Sequence, residues 1–187
     1  MKATVIPQST FDDLQVDAGV LLKTFDIATQ TIADADIITA TTGGIHVICT
    51  PTYSDFFEDV DNAPNNTKEG KHLDGWDCRL ETTSLNTSVD GIKFALGAAD
   101  IDGSNSSKIL PRRDLKQTDF SDLWWVGDRA DGGLVAVKLL NALSTGGFDL
   151  QTGKNSKGQI TISIMGHVST ASQNVMPMEF YSLDANE

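Results

Sequence analysis

Two histidines and two cysteines are the first residues with chemical potential. His46 and Cys49 stand three apart, and His72 and Cys78 follow, a set of nitrogen and sulfur donors that would suit zinc if they converged. In an extended chain, residues three apart point to opposite faces, and no CxxC or HExxH spacing accompanies them. The thiols are therefore expected to behave as small buried hydrophobes, and neither metal nor cofactor is expected. The carboxylates Asp55, Glu58, Asp59 and Asp61 crowd one stretch, and Asp100 and Asp102 another. A calcium loop counted from Asp100 needs glycine at its sixth place and glutamate at its twelfth; the chain has Asn105 and Pro111 there. A carboxylate pair for glycoside hydrolysis is a further option, because separation in space is not legible in a sequence. Its plainer counterpart is a solvated acidic loop. Trp124 and Trp125 suggest a sugar platform, but neighbours in a strand face opposite ways, so one at most serves it. GxSxG, Walker and dinucleotide fingerprints are missing from the sequence. By elimination the chain reads as structural rather than enzymatic.

The elements that would position these residues are mostly strands. Around Ile160, Ile162 and Ile164, the alternation with Thr161, Ser163 and Met165 is that of a half-buried strand. The turn-formers Gly153 to Gly158 stand before it. In "GIHVICTPTY", Ile45, Val47, Cys49 and Tyr53 share a face, and Pro51 places that strand at an edge or a bend. "WDCRLETTSLNT" alternates in the same way, as do "DLWWVGD", "LVAVKLLNALST" and the final "PMEFYSL". One stretch changes period: Val89, Ile92 and Leu96 recur at helical spacing behind Ser88, a candidate N-cap. The pattern predicts a mainly β domain, a β-sandwich or split barrel with one flanking α-helix, over residues 1–187.

The 187 residues carry 26 acidic against 14 basic side chains, a formal net charge of −12. Such a field repels phosphates and excludes a protein that grips nucleic acid by counterion release. It does not exclude one that lets DNA pass without adhering. No apolar run reaches the roughly 20 residues that span a bilayer, so no membrane partner is expected. Two cysteines and an N-terminal stretch without an apolar core point to synthesis in a reducing cytoplasm.

Several segments together carry a resemblance: "LQVDAGVLLKTFD", "FFEDVDNAPNNTKEGKHLDGWD", "VDGIKFALGAAD" and "LLNALSTGGFDLQTGKNSKGQITISIMGHVST" followed by "PMEFYSL". In order and spacing they resemble the major tail tube proteins of long-tailed bacteriophages. The resemblance implies a virion protein of the tail, made in the host bacterial cytoplasm. Its copies would form hexameric rings stacked into a tube, with four strands of each subunit lining a continuous β-barrel. The implied partners are other copies of the chain and the tail initiation and terminator proteins. Tape measure protein and DNA would pass through the lumen without specific binding. On that reading Thr161, Ser163 and Met165 face the lumen, within a C-terminal hairpin 134–167. The long loop 55–72, with Asp55, Phe57, Asp59, Asp61, Asn62, Asn66 and Lys68, would reach a neighbouring subunit or ring. The alternatives are the inner tube of a contractile tail or tail-like injection particle, and a carbohydrate-binding β-sandwich module.

Overall fold

The computed structural model describes residues 6, 7 and 9–185. Along the chain run α1 (Ser9–Asp12), β1 (Val20–Leu22), β2 (Ile37–Thr39), β3 (Thr41–Asp55), β4 (Lys71–Ser84), α2 (Val89–Leu96), β5 (Ala99–Asp102), β6 (Asn105–Pro111), β7 (Ser121–Asp128), β8 (Leu134–Ser144), β9 (Asp149–Gln151), β10 (Gln159–Met165) and β11 (Met178–Leu183). The fold is mainly β, a β-sandwich with a flanking helix. One antiparallel path, β2-β1-β7-β8-β10-β4-β3, runs through both layers, with β11 added on β8 and β9 on β10.

Alternation builds the interface between the layers. Ile160, Ile162 and Ile164 of β10 and Cys78 and Leu80 of β4 turn inward and are 0–1% exposed. They meet Leu21, Trp125, Val137 and Leu139 of the facing layer in one cluster. Burying side chains of this size contributes about 1.5–3 kcal/mol each. The second layer is covered on its far side too, by Phe25 and Ile27 packed on Leu22, Trp124 and Val126. Adjacent Trp124 and Trp125 therefore both lie in cores, one on each side of β7, at 7% and 8% exposure. Trp125 donates its indole N–H to the Ala18 carbonyl at 3.1 Å, and Trp124 packs edge-on against Phe25 at 5.6 Å. Neither ring is free to stack on a sugar.

The sandwich depends on β8 changing layers. Its first part pairs with β7 on one side and β11 on the other, while Leu143 and Ser144 pair with β10. The turn comes at Asn141, whose φ of 46° lies in the left-handed region that asparagine enters more readily than most residues. His167 and Asp122 hold it: Asn141 Nδ2 donates to the His167 carbonyl at 3.0 Å, and the Asn141 N–H to Asp122 Oδ1 at 3.0 Å. The expected hairpin 134–167 is thus divided between two layers. Only its distal part is a hairpin, with 143–151 running against 159–165 through β9 and the Thr145 and Gly146 N–H bonds to the Ser163 carbonyl.

Helix α2 follows its sequence signals. Ser88 Oγ accepts from the Gly91 N–H at 3.1 Å, Asp90 sits in the first turn where the helix dipole favours it, and Gly97 ends the helix at φ 69°. Gly91 is needed because a Cβ there would stand 2.8 Å from Asn86 Cγ. Three features depart from the predicted outline. A second helical turn, α1, precedes the first strand, and the stretch of Leu14, Val16 and Ala18, whose alternation with polar residues reads as a strand, contributes a single bridge, Gln15 to Arg129. The β5–β6 hairpin occupies a stretch read as loop, its Asp102 taking up a turn with Ser104 N–H and Oγ at 2.9 and 2.7 Å.

Candidate functional site

The outer face of the first layer is built by four strands in the order β3-β4-β10-β9. Alternation that sends three isoleucines of β10 inward sends Thr161, Ser163 and Met165 outward; Thr161 is exposed, the other two half-buried. Register then fixes their neighbours. Thr161 lies between Asp149 and Thr83, with Thr42 beyond; Ser163 is followed by Glu81 and His46; Met165 by Arg79 and Ile48; and Asp77 stands opposite Thr50. The result is a surface of hydroxyls with three carboxylates, Asp77, Glu81 and Asp149, against one guanidinium. Arg79 sits between two of them, 3.4 Å from Asp77 and 3.3 Å from Glu81. Such open pairs contribute little stability, but they fix where the excess negative charge lies.

Both lateral borders of this face are strand edges. Among the described residues β3 pairs only with β4 and β9 only with β10, so 15 residues on one side and three on the other present backbone groups without described ladder partners of their own layer. An edge of that length is a template for another strand.

Beyond the core, β3 and β4 continue as an arm. Past the Cys49–Cys78 pair neither face is buried: Tyr53 at 58% and Leu73 at 43% exposure stand opposite each other on one face, and Thr52 and His72 are exposed on the other. Pro51 lies on this edge strand opposite Trp76, and the register shifts just after it, between Thr52 and Tyr53. Asp55 closes the arm's end. Its carboxylate accepts from the Phe57 N–H at 3.0 Å and stands 3.3 Å from Lys71 Nζ. The Phe57 backbone donor, with Lys71 second, holds the Asp55 carboxyl below the usual aspartate range. The loop from Phe56 to Gly70 then carries Glu58, Asp59 and Asp61 in the open beside exposed Phe56 and Val60. Asn62 and Asn66 take left-handed turns at φ 63° and 61°, and Lys68 leans on Glu69 at 3.7 Å.

The opposite pole has the opposite charge. Because Ile160 stands against Ser84, and Ser84 against Thr41, the turn 152–158 lies at the end of the layer away from the arm. It exposes Lys154 and Lys157, and neither has an ion-pair partner among the described residues. Sequence reasoning singled out the acidic loop but treated this turn only as punctuation; its charge was legible, its position relative to the loop was not.

Clefts open elsewhere on the described surface. One of about 610 Å³ is walled by apolar side chains such as Val47, Trp125 and Val137, with Gln15, Asp17 and His46 also on its lining. Another, of about 410 Å³, brings Asp100 and Asp119 to Lys116, where Lys116 Nζ is 2.8 Å from Asp100 and Arg112 binds Asp119. A general acid needs a raised pKa. The displaced carboxyls, Asp55, Asp100, Asp102 and Asp131, all move down, each held by a hydrogen bond to its ionised form. Among the described residues no three His, Cys, Asp or Glu side chains converge on a point that would hold a metal. Thus His46, Cys49, His72 and Cys78 are not brought together as one donor set. No protein-family model matches the chain, and no curated protein sequence matches it.

Proposed function

We propose that this chain is a self-assembling structural subunit, the tail tube protein of a long-tailed bacteriophage, stacking in hexameric rings around a DNA conduit. The observation that carries the reading is the four-stranded layer with a hydroxylic, net acidic outer face and two unpaired edges. Joining β3 of one copy to β9 of the next removes both edges, the physical liability of an open sheet. Six copies give roughly 24 strands; at about 4.8 Å per strand the closed sheet is roughly 40 Å across, and barrels of 16–18 strands already enclose an aqueous channel. A net acidic lining repels phosphates, so DNA slides rather than sticks. The acidic arm and the basic turn lie at opposite poles along the strands, which suits head-to-tail stacking, a heterologous contact that grows without closing. In this reading Thr161, Ser163 and Met165 line the lumen and Asp55 to Lys68 reaches the next ring.

Sedimentation and negative-stain images over a concentration series test the proposal. Dilute protein should be monomeric or weakly associated and should form tubes when concentrated or seeded by a tail-initiation complex. Discrete monomers under every condition, above all with affinity for glycans, would overturn it in favour of a binding module.

A further inference from the structure

We propose that Cys49 and Cys78 form a reversible intramolecular disulfide that fastens the root of the β3–β4 arm. The inference is independent of the tube reading, since it rests on the geometry of one hairpin. The two cysteines are direct register partners across the ladder. Their sulfurs stand 3.5 Å apart and both are free thiols. Opposed residues of antiparallel strands have Cα atoms about 4.5–5.5 Å apart, inside the roughly 4.4–6.8 Å that a disulfide accepts. Side-chain rotation alone can therefore close the bond, with no slip of register.

Position gives the bond a consequence. On the core side of the pair, Val47 and Leu80 pack into the sandwich; on the other, Pro51 and Trp76 begin the arm that is open on both faces. The cysteines are 29 positions apart, so the bond would close a loop containing the whole arm and its acidic tip.

The sulfurs differ in access. Cys78 is 1% exposed, whereas Cys49 is half-buried on the edge strand, so an oxidant arriving from solvent meets Cys49 first. Burial, and next the contact with Cys49, push the Cys78 thiol up to about 12, so Cys78 is not the sulfur that meets the oxidant first and gives up its proton only as it attacks. With hydrogen peroxide, the Cys49 sulfur attacks one peroxide oxygen, the O–O bond breaks, and a sulfenic acid and one water result. The Cys78 sulfur then attacks the Cys49 sulfur, the S–O bond breaks, and the departing hydroxide takes the Cys78 proton as a second water. Both sulfurs are oxidised and both peroxide oxygens reduced.

The full chain treated with hydrogen peroxide tests this. Intact mass should fall by two hydrogens, and a non-reducing digest should link the peptides holding Cys49 and Cys78. The melting temperature should rise by about 5–10 °C, and dithiothreitol should reverse all three changes. Cys49→Ser should show none of them. Sulfinic acid at Cys49 beside an unmodified Cys78, a bond between two chains, or a linked pair with unchanged or lower melting temperature would overturn the proposal; none of these readouts depends on a variant folding.

Discussion

Asp55 shows how a single residue sets the geometry of the arm. Its carboxylate is pinned by the Phe57 N–H and by Lys71, so the folded protein prefers it ionised and its pKa falls. A depressed folded pKa contributes stability above the ordinary aspartate value of ~3.9, and that contribution is lost as pH drops through the folded value. Carbon-detected NMR of the Asp55 carboxyl should therefore titrate below ~3.9. The backbone donor is the leading cause, so Lys71→Ala should leave the midpoint depressed. A midpoint at or above the ordinary value would mean that the turn onto Phe57 is not held by this bond. Other residue-scale features were legible from the start: the Ser88 cap and Pro51 on an edge strand both follow from backbone chemistry that any sequence carries. The two tryptophans were legible only halfway. Alternation put them on opposite faces, but the second core that buries Trp124 is supplied by Phe25 and Ile27, from a stretch whose small polar residues gave no periodic signal.

At the scale of elements, period-2 alternation set the inner and outer faces of β4 and β10, because one buried face leaves no freedom of register. What it could not set was partnership. The run from Leu134 reads as one strand, yet it serves two layers, since the left-handed turn at Asn141 is held by His167 and Asp122, contacts remote in sequence. The β5–β6 hairpin was hidden for a different reason: Asp102, Gly103 and Ser104 are turn chemistry, but β5 is only four residues long and β6 is mostly polar and exposed. A direct check of the faces uses neighbours on β10. Ile162→Lys places a charge at a side chain 1% exposed and should destabilise by more than about 4 kcal/mol, while Thr161→Lys on the open face should stay within about 0.5 kcal/mol. Urea unfolding of both variants measures the difference. Equal losses would mean that the outer face is covered rather than open.

The whole molecule is polar along its strands. Glu58, Asp59 and Asp61 lie beyond one end of the four-stranded layer and Lys154 and Lys157 beyond the other, with free edges along the sides. On the proposed reading, sideways and lengthwise growth would use different surfaces, one made of backbone hydrogen bonds and the other of side-chain charge. The first is directional and insensitive to salt; the second weakens as ions screen it. On that reading a net charge of −12 would keep dilute copies apart until edge pairing offset the repulsion. The claim that joins these surfaces is that β3 of one copy hydrogen-bonds to β9 of the next, so that the hydroxylic face turns inward. Cryo-electron microscopy of the assembled polymer tests it most directly. The account predicts a continuous barrel with β3–β9 ladders between subunits, Thr161 and Ser163 facing the lumen, and Glu58, Asp59 and Asp61 of one ring against Lys154 and Lys157 of the next. A polymer in which that face meets outer solvent, or in which the β3 edge is left unpaired, would contradict it.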